Sequence, residues 1–495
     1  MAPVLRREVQ LIFPGLKVGK DDPSAAERLV RLGVGGFCLY GGTPSAIRAL
    51  VRRLQSAAAT PLLFCADYED GAASHVEGTT RFPSNMGLGA SGRVETAYRK
   101  AFCTGREASS LGVRWVFAPV LDLAGRSDNP IVNIRAFGED PALVSRMARA
   151  YLRGLRDAGV LSCVKHFPGH GDTRVDSHLG LPTVRASRRV LRTRELRPYE
   201  GVLDLADSVM LAHLRVPALE PGVPVPFSKR TVSGLLRGDL GYEGLVLTDA
   251  LDMRAVAGRY GDAGASLRAL KAGADSLLVP ADPEALARRL PGLLDKDPEA
   301  AAGAERALGR ILRAKGAAGL FEDGGLPPAS GAAVACAEHR RRARELAEAS
   351  LCWARRPAGA IARRIRYIEP ETASGAPASG RMFLQELKRL GFSVSPRGEA
   401  VVAASFAGPR AYSGRIRWDA AQVRSARAAA ASPSSTLVCF GSPFVLDQAP
   451  GFKAVLCAFG GGEESQRAAA RLLAGRLRAR GRLPVTLRSL AGGPR

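Results

Sequence analysis

Eight short apolar runs, rich in Val, Ile, Leu and Phe, recur through the first two thirds of the chain, separated by segments of Ala, Arg and Leu at helical spacing. The runs are Glu8–Phe13, Val34–Tyr40, Leu62–Asp67, Val113–Leu123, Leu161–Phe167, Ser208–Leu214, Leu245–Leu251 and Ser276–Val279. Strands that alternate with helices pair in parallel, because each helix carries the chain back to the end it came from. Eight such units within about 300 residues are what a (β/α)8 TIM barrel requires, so an α/β protein built on that barrel is expected.

Polar residues close these runs at one end. Asp67, Asp122, Lys165 with His166, His213 and Asp249 each stand where an apolar run stops, at its carboxyl end. A barrel gathers those ends on one face, and its active site lies there. Any one of these residues is most simply a helix cap or a salt-bridged loop residue; their recurrence on successive runs argues for a site.

From Lys315 to Ala335 the composition shifts to Gly, Ala, Pro and Ser, as a linker does. A barrel domain over residues 1–330 and a second domain over 336–495 are therefore expected. Further apolar strands follow at Ile365–Ile368, Ala400–Phe406, Thr436–Phe440 and Ala454–Phe459, with a strongly periodic helix over Glu464–Arg480. They predict a smaller α/β sandwich domain.

The 71 Lys and Arg against 47 Asp and Glu leave a net charge of +24, a field that attracts nucleic acid, anionic membrane or an acidic metabolite. The excess forms no continuous basic tail and carries no aromatic interleaving, so it reads as Arg spread over solvated faces and no nucleic-acid partner is expected. Nowhere do about 18 apolar residues run together, so no membrane span is expected. Eight cysteines lie without a CxxC pair and mostly inside apolar runs, such as Gly36-Phe37-Cys38-Leu39, which points to buried thiols in a reducing compartment. Met1 to Gly15 lacks the pattern of a secretory leader, so a cytoplasmic monomer is the default expectation.

The most informative stretch runs Lys165-His166-Phe167-Pro168-Gly169-His170-Gly171-Asp172-Thr173 and continues to Asp176-Ser177-His178. Its Pro and Gly residues forbid a regular helix, so three His and two Asp project from a loop at a strand end. A metal site is one reading of such residues, but the spacing matches no helical HxxxH or HExxH pattern and Lys165 repels a cation, so no metal is expected. Acid/base chemistry is the other: Asp176, two residues before His178, orients the imidazole and favours its protonated form. In Leu245-Val246-Leu247-Thr248-Asp249 an apolar strand delivers a carboxylate to the barrel mouth, where it attacks an electrophilic carbon or stabilises a cation. Asp252 is expected to cap the following helix.

Both segments resemble the signatures of glycoside hydrolase family 3, in particular its β-N-acetylglucosaminidase branch. Ala118-Pro119-Val120-Leu121-Asp122, Arg135-Ala136-Phe137-Gly138-Glu139-Asp140-Pro141, Met210-Leu211-Ala212-His213 and Ala272-Gly273-Ala274-Asp275 fall in family order, and Gly481-Arg482-Leu483-Pro484-Val485-Thr486 resembles the end of two-domain members. The resemblance implies that Asp249 is the nucleophile and that His178, oriented by Asp176, is the general acid/base. It implies that Arg135, Lys165 and His166 hold sugar hydroxyls and that Asp67 grips the far edge of the ring. His170 and His213 take architectural roles, and no cofactor is implied. One segment departs: the family shows Asp-Gln-Glu-Gly-Gly, three residues and an Arg, whereas this chain has Asp67-Tyr68-Glu69-Asp70-Gly71-Ala72-Ala73-Ser74-His75. His75 thus stands at a sugar-binding position where a fixed, bidentate cation is usual.

The expected activity is that of a retaining exo-β-N-acetylglucosaminidase, of the β-N-acetylhexosaminidase type, acting on a small carbohydrate. A β-glucosidase, a β-xylosidase or a phosphorylase of the same family is the first alternative. A weakened barrel that binds carbohydrate or an anionic polymer is the second.

Overall fold

The computed structural model describes residues 7–177, 179–327, 331–371, 379–409 and 416–490. These form two compact units. The first takes in the described parts of Met1–Thr80, Ala101–Asp122 and Ala148–Cys336; the second takes in those of Arg81–Lys100, Leu123–Met147 and Ala337–Arg495.

The strands of the first unit are β1 (Ile12–Phe13, resuming as Gly15–Lys17), β2 (Cys38–Tyr40), β3 (Cys65–Ala66), β4 (Trp115–Val116), β5 (Leu161–Ser162, resuming as Val164–Phe167), β6 (Ser208–Leu211), β7 (Leu245–Thr248) and β8 (Leu277–Leu278). Each pairs in parallel with the next in chain order. The ring closes because β7 meets β8 at the Leu247–Ser276 bridge and β8 pairs with β1, Leu277 opposite Ile12. This is the expected (β/α)8 barrel. Its strands are shorter than the apolar runs, since tilt and stagger leave only the middle of each run in register with both neighbours.

Phe13 on β1 packs edge-to-face on Trp115 of β4 at 5.6 Å, and Trp115 on Phe117 at 5.0 Å. Neither β1 and β4 nor β4 and β6 are neighbours, so the Phe13–Trp115 contact crosses the interior, as does the 2.8 Å hydrogen bond from Trp115 Nε1 to Ser208 Oγ. At the amino ends, Asp275 accepts from Arg237 at 2.6 Å, Arg310 at 3.0 Å and the Val246 N–H at 2.8 Å. Four outer helices start in the same way: Asp22, Thr43, Asp282 and Asp297 accept backbone N–H groups at the N-cap, and Pro follows at the first helical position. The stretch expected as a linker begins inside a helix. Lys315 closes Pro298–Ala317, where it is buried and donates to Gln10 Oε1 at 2.6 Å and the Pro61 carbonyl at 2.7 Å.

The second unit holds a six-stranded sheet of β9 (Cys352–Arg355), β10 (Arg364–Ile368), β11 (Ser393–Val394), β12 (Ala400–Ser405), β13 (Ser435–Cys439) and β14 (Ala454–Cys457), in the order β9-β14-β13-β12-β10-β11. Only β9 runs antiparallel. Alternate residues of β12 serve two cores: Ala400, Val402 and Ala404 pack with Phe383, Leu387 and Ala469, while Val401 and Ala403 pack with Ala426 and Ala429. Helices on both faces make this the α/β sandwich. The helix expected over Glu464–Arg480 spans Glu463–Leu473 and ends there because Gly475 adopts φ +74. No described helix is long and apolar enough to cross a membrane.

The barrel wall tolerates no side chain at Gly36, where a Cβ would lie 1.8 Å from the Leu63 carbonyl oxygen. Gly36→Ala is expected to cost about 3 kcal/mol, the upper range for overpacking, read as a lower urea midpoint at unchanged slope.

Candidate active site

All four residues of Val164–Phe167 are buried, and one of them is a lysine. Lys165 is 1% exposed, and its Nζ lies 2.5 Å from Asp67 Oδ1 and 2.7 Å from Glu69 Oε1. Asp67 follows β3 directly, so the end of β3 neutralises the cation that β5 brings in. Glu69 was absent from the expected site, although the alternation of Asp67 and Glu69 around Tyr68 places both acids two residues apart. Tyr68 itself is fully buried, and burial pushes its hydroxyl up. Of the residues that depart from the family pattern, Tyr68 has therefore become part of the core.

The organising group at the end of β4 is Asp122, 1% exposed. Its Oδ2 accepts from His166 Nδ1 at 2.7 Å, and its Oδ1 accepts from the His166 N–H at 3.3 Å and the His170 N–H at 2.6 Å. Burial raises its carboxyl, but the neighbouring His166 and His170 outweigh that and hold it below the ordinary value. His170 donates from Nδ1 to Thr173 Oγ1 at 2.7 Å, and that hydroxyl donates to the His170 carbonyl at 3.0 Å. Burial pushes His170 down to about 4, so it is neutral near pH 7.

Asp249 follows β7 and is anchored from both sides. Its N–H donates to the Leu211 carbonyl on β6 at 3.2 Å, and the preceding Thr248 Oγ1 accepts from the Leu278 N–H on β8 at 3.1 Å. Its Oδ1 accepts from the Ala250 N–H at 2.8 Å, and the side chain is half-buried. Asp252 does not cap the next helix as expected: that helix is Ala257–Ala272 with Val256 at the N-cap, and the Asp252 N–H instead extends the β7–β8 contact to the Val279 carbonyl at 3.0 Å.

Gly169 carries the loop after β5 through φ +134, and a Cβ there would stand 2.8 Å from Glu195 Oε2. Glu195 is 2% exposed, and burial pushes it up to about 7 against the pull of Arg194. Arg194 also reaches Asp172 at 3.3 Å, which ties the loop to the helical turn beneath it. Asp176 is buried, and its carbonyl accepts from the Leu179 and Gly180 N–H groups at 2.9 and 3.1 Å. His178, and with it the expected pairing to Asp176, lies outside the described residues. His75 follows the short turn Ala72–Ser74 and meets the Tyr40 ring edge-to-face at 5.7 Å.

Asp67, Lys165, His166 and Asp249 thus stand at the carboxyl ends of β3, β5 and β7, on one face of a parallel ring. Arg135 belongs to the second unit, where it donates to the Ile131 carbonyl at 3.3 Å and its own carbonyl accepts from Asn85 Nδ2 at 2.9 Å.

Asp122→Asn is expected to cost about 3 kcal/mol at pH 7, because it breaks a buried charged network. The carboxyl is depressed in the folded state, so its contribution is present above the ordinary value of 3.8 and fades as the pH falls below it. Urea titrations at a series of pH values check this: the gap between wild type and variant should narrow on acidification.

Residues 7–314 match the glycosyl hydrolase family 3 N terminal domain. Beta-hexosaminidase A of Pseudoalteromonas piscicida is 34% identical over 284 residues, which are 52% of this chain and 48% of that protein. The chain therefore spans about half the length of that relative. Among solved structures, a glycoside hydrolase family 3 beta-N-acetylglucosaminidase from Paenibacillus sp. str. FPU-7 is similar at a TM-score of 0.87 and 30% identity, covering 98% of this chain and 99% of that one. Beta-glucoside phosphorylase BglX is similar at a TM-score of 0.91 and 25% identity, over 98% and 94% of the two chains. With the family's N-terminal domain matched across well over half its length and the barrel-end cluster in place, the chain belongs to glycosyl hydrolase family 3.

Proposed function

We propose that the chain is a retaining, exo-acting β-N-acetylglucosaminidase that releases terminal β-linked N-acetylglucosamine. The observation that carries this reading is the placing of Asp249: a carboxylate fixed at the end of β7 through Ala250, on the face where Lys165 is already neutralised by Asp67 and Glu69.

In the first step Asp249 attacks that carbon while protonated His178, oriented by Asp176, gives its proton to the departing oxygen; the glycosidic bond breaks and a glycosyl-Asp249 ester forms. In the second, neutral His178 takes a proton from water, the resulting hydroxide equivalent displaces Asp249, and the sugar leaves with retained configuration. Lys165, His166, Asp67, Arg135 and His75 are the proposed hydroxyl-binding residues. The names of the Pseudoalteromonas and Paenibacillus relatives support the aminosugar assignment.

A second reading is favoured by the likeness to a beta-glucoside phosphorylase. A neutral imidazole in place of a carboxylate base does not repel an incoming anion, so inorganic phosphate takes the place of water and sugar 1-phosphate is the product. For the natural substrate we favour acidic muropeptides met in the cytoplasm during cell-wall recycling, because a net charge of +24 draws in anions.

A panel of aryl glycosides tests the activity. Wild type is expected to cleave the N-acetylglucosaminide faster than the glucoside or xyloside, and Asp249→Ala to lose about a thousandfold or more in kcat. A 2-fluoro sugar should become trapped on Asp249, whereas catalysis by the substrate's own acetamido group predicts no ester. Wild-type turnover in the Asp249→Ala variant sinks the mechanism, and sugar 1-phosphate released in phosphate buffer selects the phosphorylase. A preference for acidic muropeptide over chitobiose should shrink between about 50 mM and about 500 mM salt.

A further inference from the structure

Next to Asp249 lies a fully buried histidine to which the mechanism assigns no role. His213 follows β6 and is 0% exposed; its Nε2 lies 2.9 Å from the Ala250 carbonyl. A carbonyl only accepts, so Nε2 carries the hydrogen and the ring donates. Nδ1 is buried and has no hydrogen-bond partner among the described residues. A buried, partnerless ring nitrogen is tolerated where the other nitrogen does something the fold needs.

What Nε2 holds is Ala250, and the N–H of Ala250 holds Asp249 Oδ1 at 2.8 Å. No side chain of Ala250 is available to fix that residue. Its flanks are tied by the Asp249 N–H to Leu211 on β6 and the Leu251 N–H to Leu278 on β8 at 2.8 Å, and between those anchors the Ala250 carbonyl accepts from the Met253 N–H at 3.2 Å and, more closely, from His213. We infer that His213 is a positioning residue for the nucleophile: by gripping the Ala250 carbonyl, it sets the direction of the Ala250 N–H and through it the attacking oxygen. Its uncharged state serves the same end. Burial pushes His213 down although the charge of Asp249 pulls it up, so the ring stays a neutral donor and does not form an ion pair that would blunt the carboxylate. His166, the other titratable group felt by the ring, also disfavours its protonation.

The inference rests on Asp249 being the nucleophile, and the test separates the two. In wild type without ligand, imidazole nitrogen NMR at about pH 8 is expected to show His213 as a single neutral tautomer with the proton on Nε2. His213→Leu is expected to lower kcat on the aryl N-acetylglucosaminide by about a hundredfold, the scale for a misplaced reacting group, with KM within about twofold, and to slow trapping of the 2-fluoro sugar on Asp249 in proportion. His213→Gln keeps a neutral N–H donor and is expected to recover most of that loss. Circular dichroism and thermal melts of both variants control for folding. A proton on Nδ1, an equal loss in Leu and Gln variants that both fold, or a change in KM alone would overturn the inference. Failure of Asp249→Ala to abolish turnover overturns the nucleophile assignment and this inference together; full wild-type chemistry with His213→Leu overturns the inference alone.

Discussion

Lys165, 1% exposed, is met inside the fold by two carboxylates, and the barrel has to supply both. Asp67 and Glu69 come from the end of β3, so two strands that are not neighbours must finish at the same height. The adjoining His166 makes the same demand of β4, through Asp122. Once these pairings hold, the ends of β3, β4 and β5 are locked in relative height, and the loop after β5 inherits its starting point from them. The chemistry at the mouth is thus built on charge satisfaction more than on loop packing, since each pairing joins a strand end to another strand end.

This explains which parts of the molecule were legible in the sequence. The eight apolar runs were readable because parallel strands covered on both faces are apolar throughout, and the Asp, Lys and His that close them stand out against that background. Asp122 was visible as a strand-closing residue, yet its work as a hub was not, because spacing along a chain does not say which strand end faces which. Glu69 and Glu195 were hidden for the same reason: each becomes meaningful only through a partner far away in sequence, Lys165 for one and the backbone at Gly169 for the other. Asp252 misled because an acid three residues past a strand end looks like a cap, whereas here the β7–β8 contact continues past the strand and postpones the helix.

The second unit was legible at its centre and not at its margins. β10, β12, β13 and β14 match the expected strands, but β9 and β11 did not stand out: β11 is two exposed residues, and only the first residue of β9 is buried. The grouping of Arg81–Lys100 and Leu123–Met147 with residues beyond Ala337 leaves no compositional mark, since each is an ordinary mixture of helix and loop. Arg135 therefore looked like a barrel residue in the sequence and belongs structurally to the other unit.

The rings of Phe13, Trp115 and Phe117 meet edge-to-face inside the barrel. Below them lies the knot of Arg237, Asp275 and Arg310, and above them the cluster of Lys165, Asp122 and Asp249. A low-dielectric layer does not screen two charged centres from each other, so the lower knot holds the strands' amino ends together while its charges remain felt above the rings.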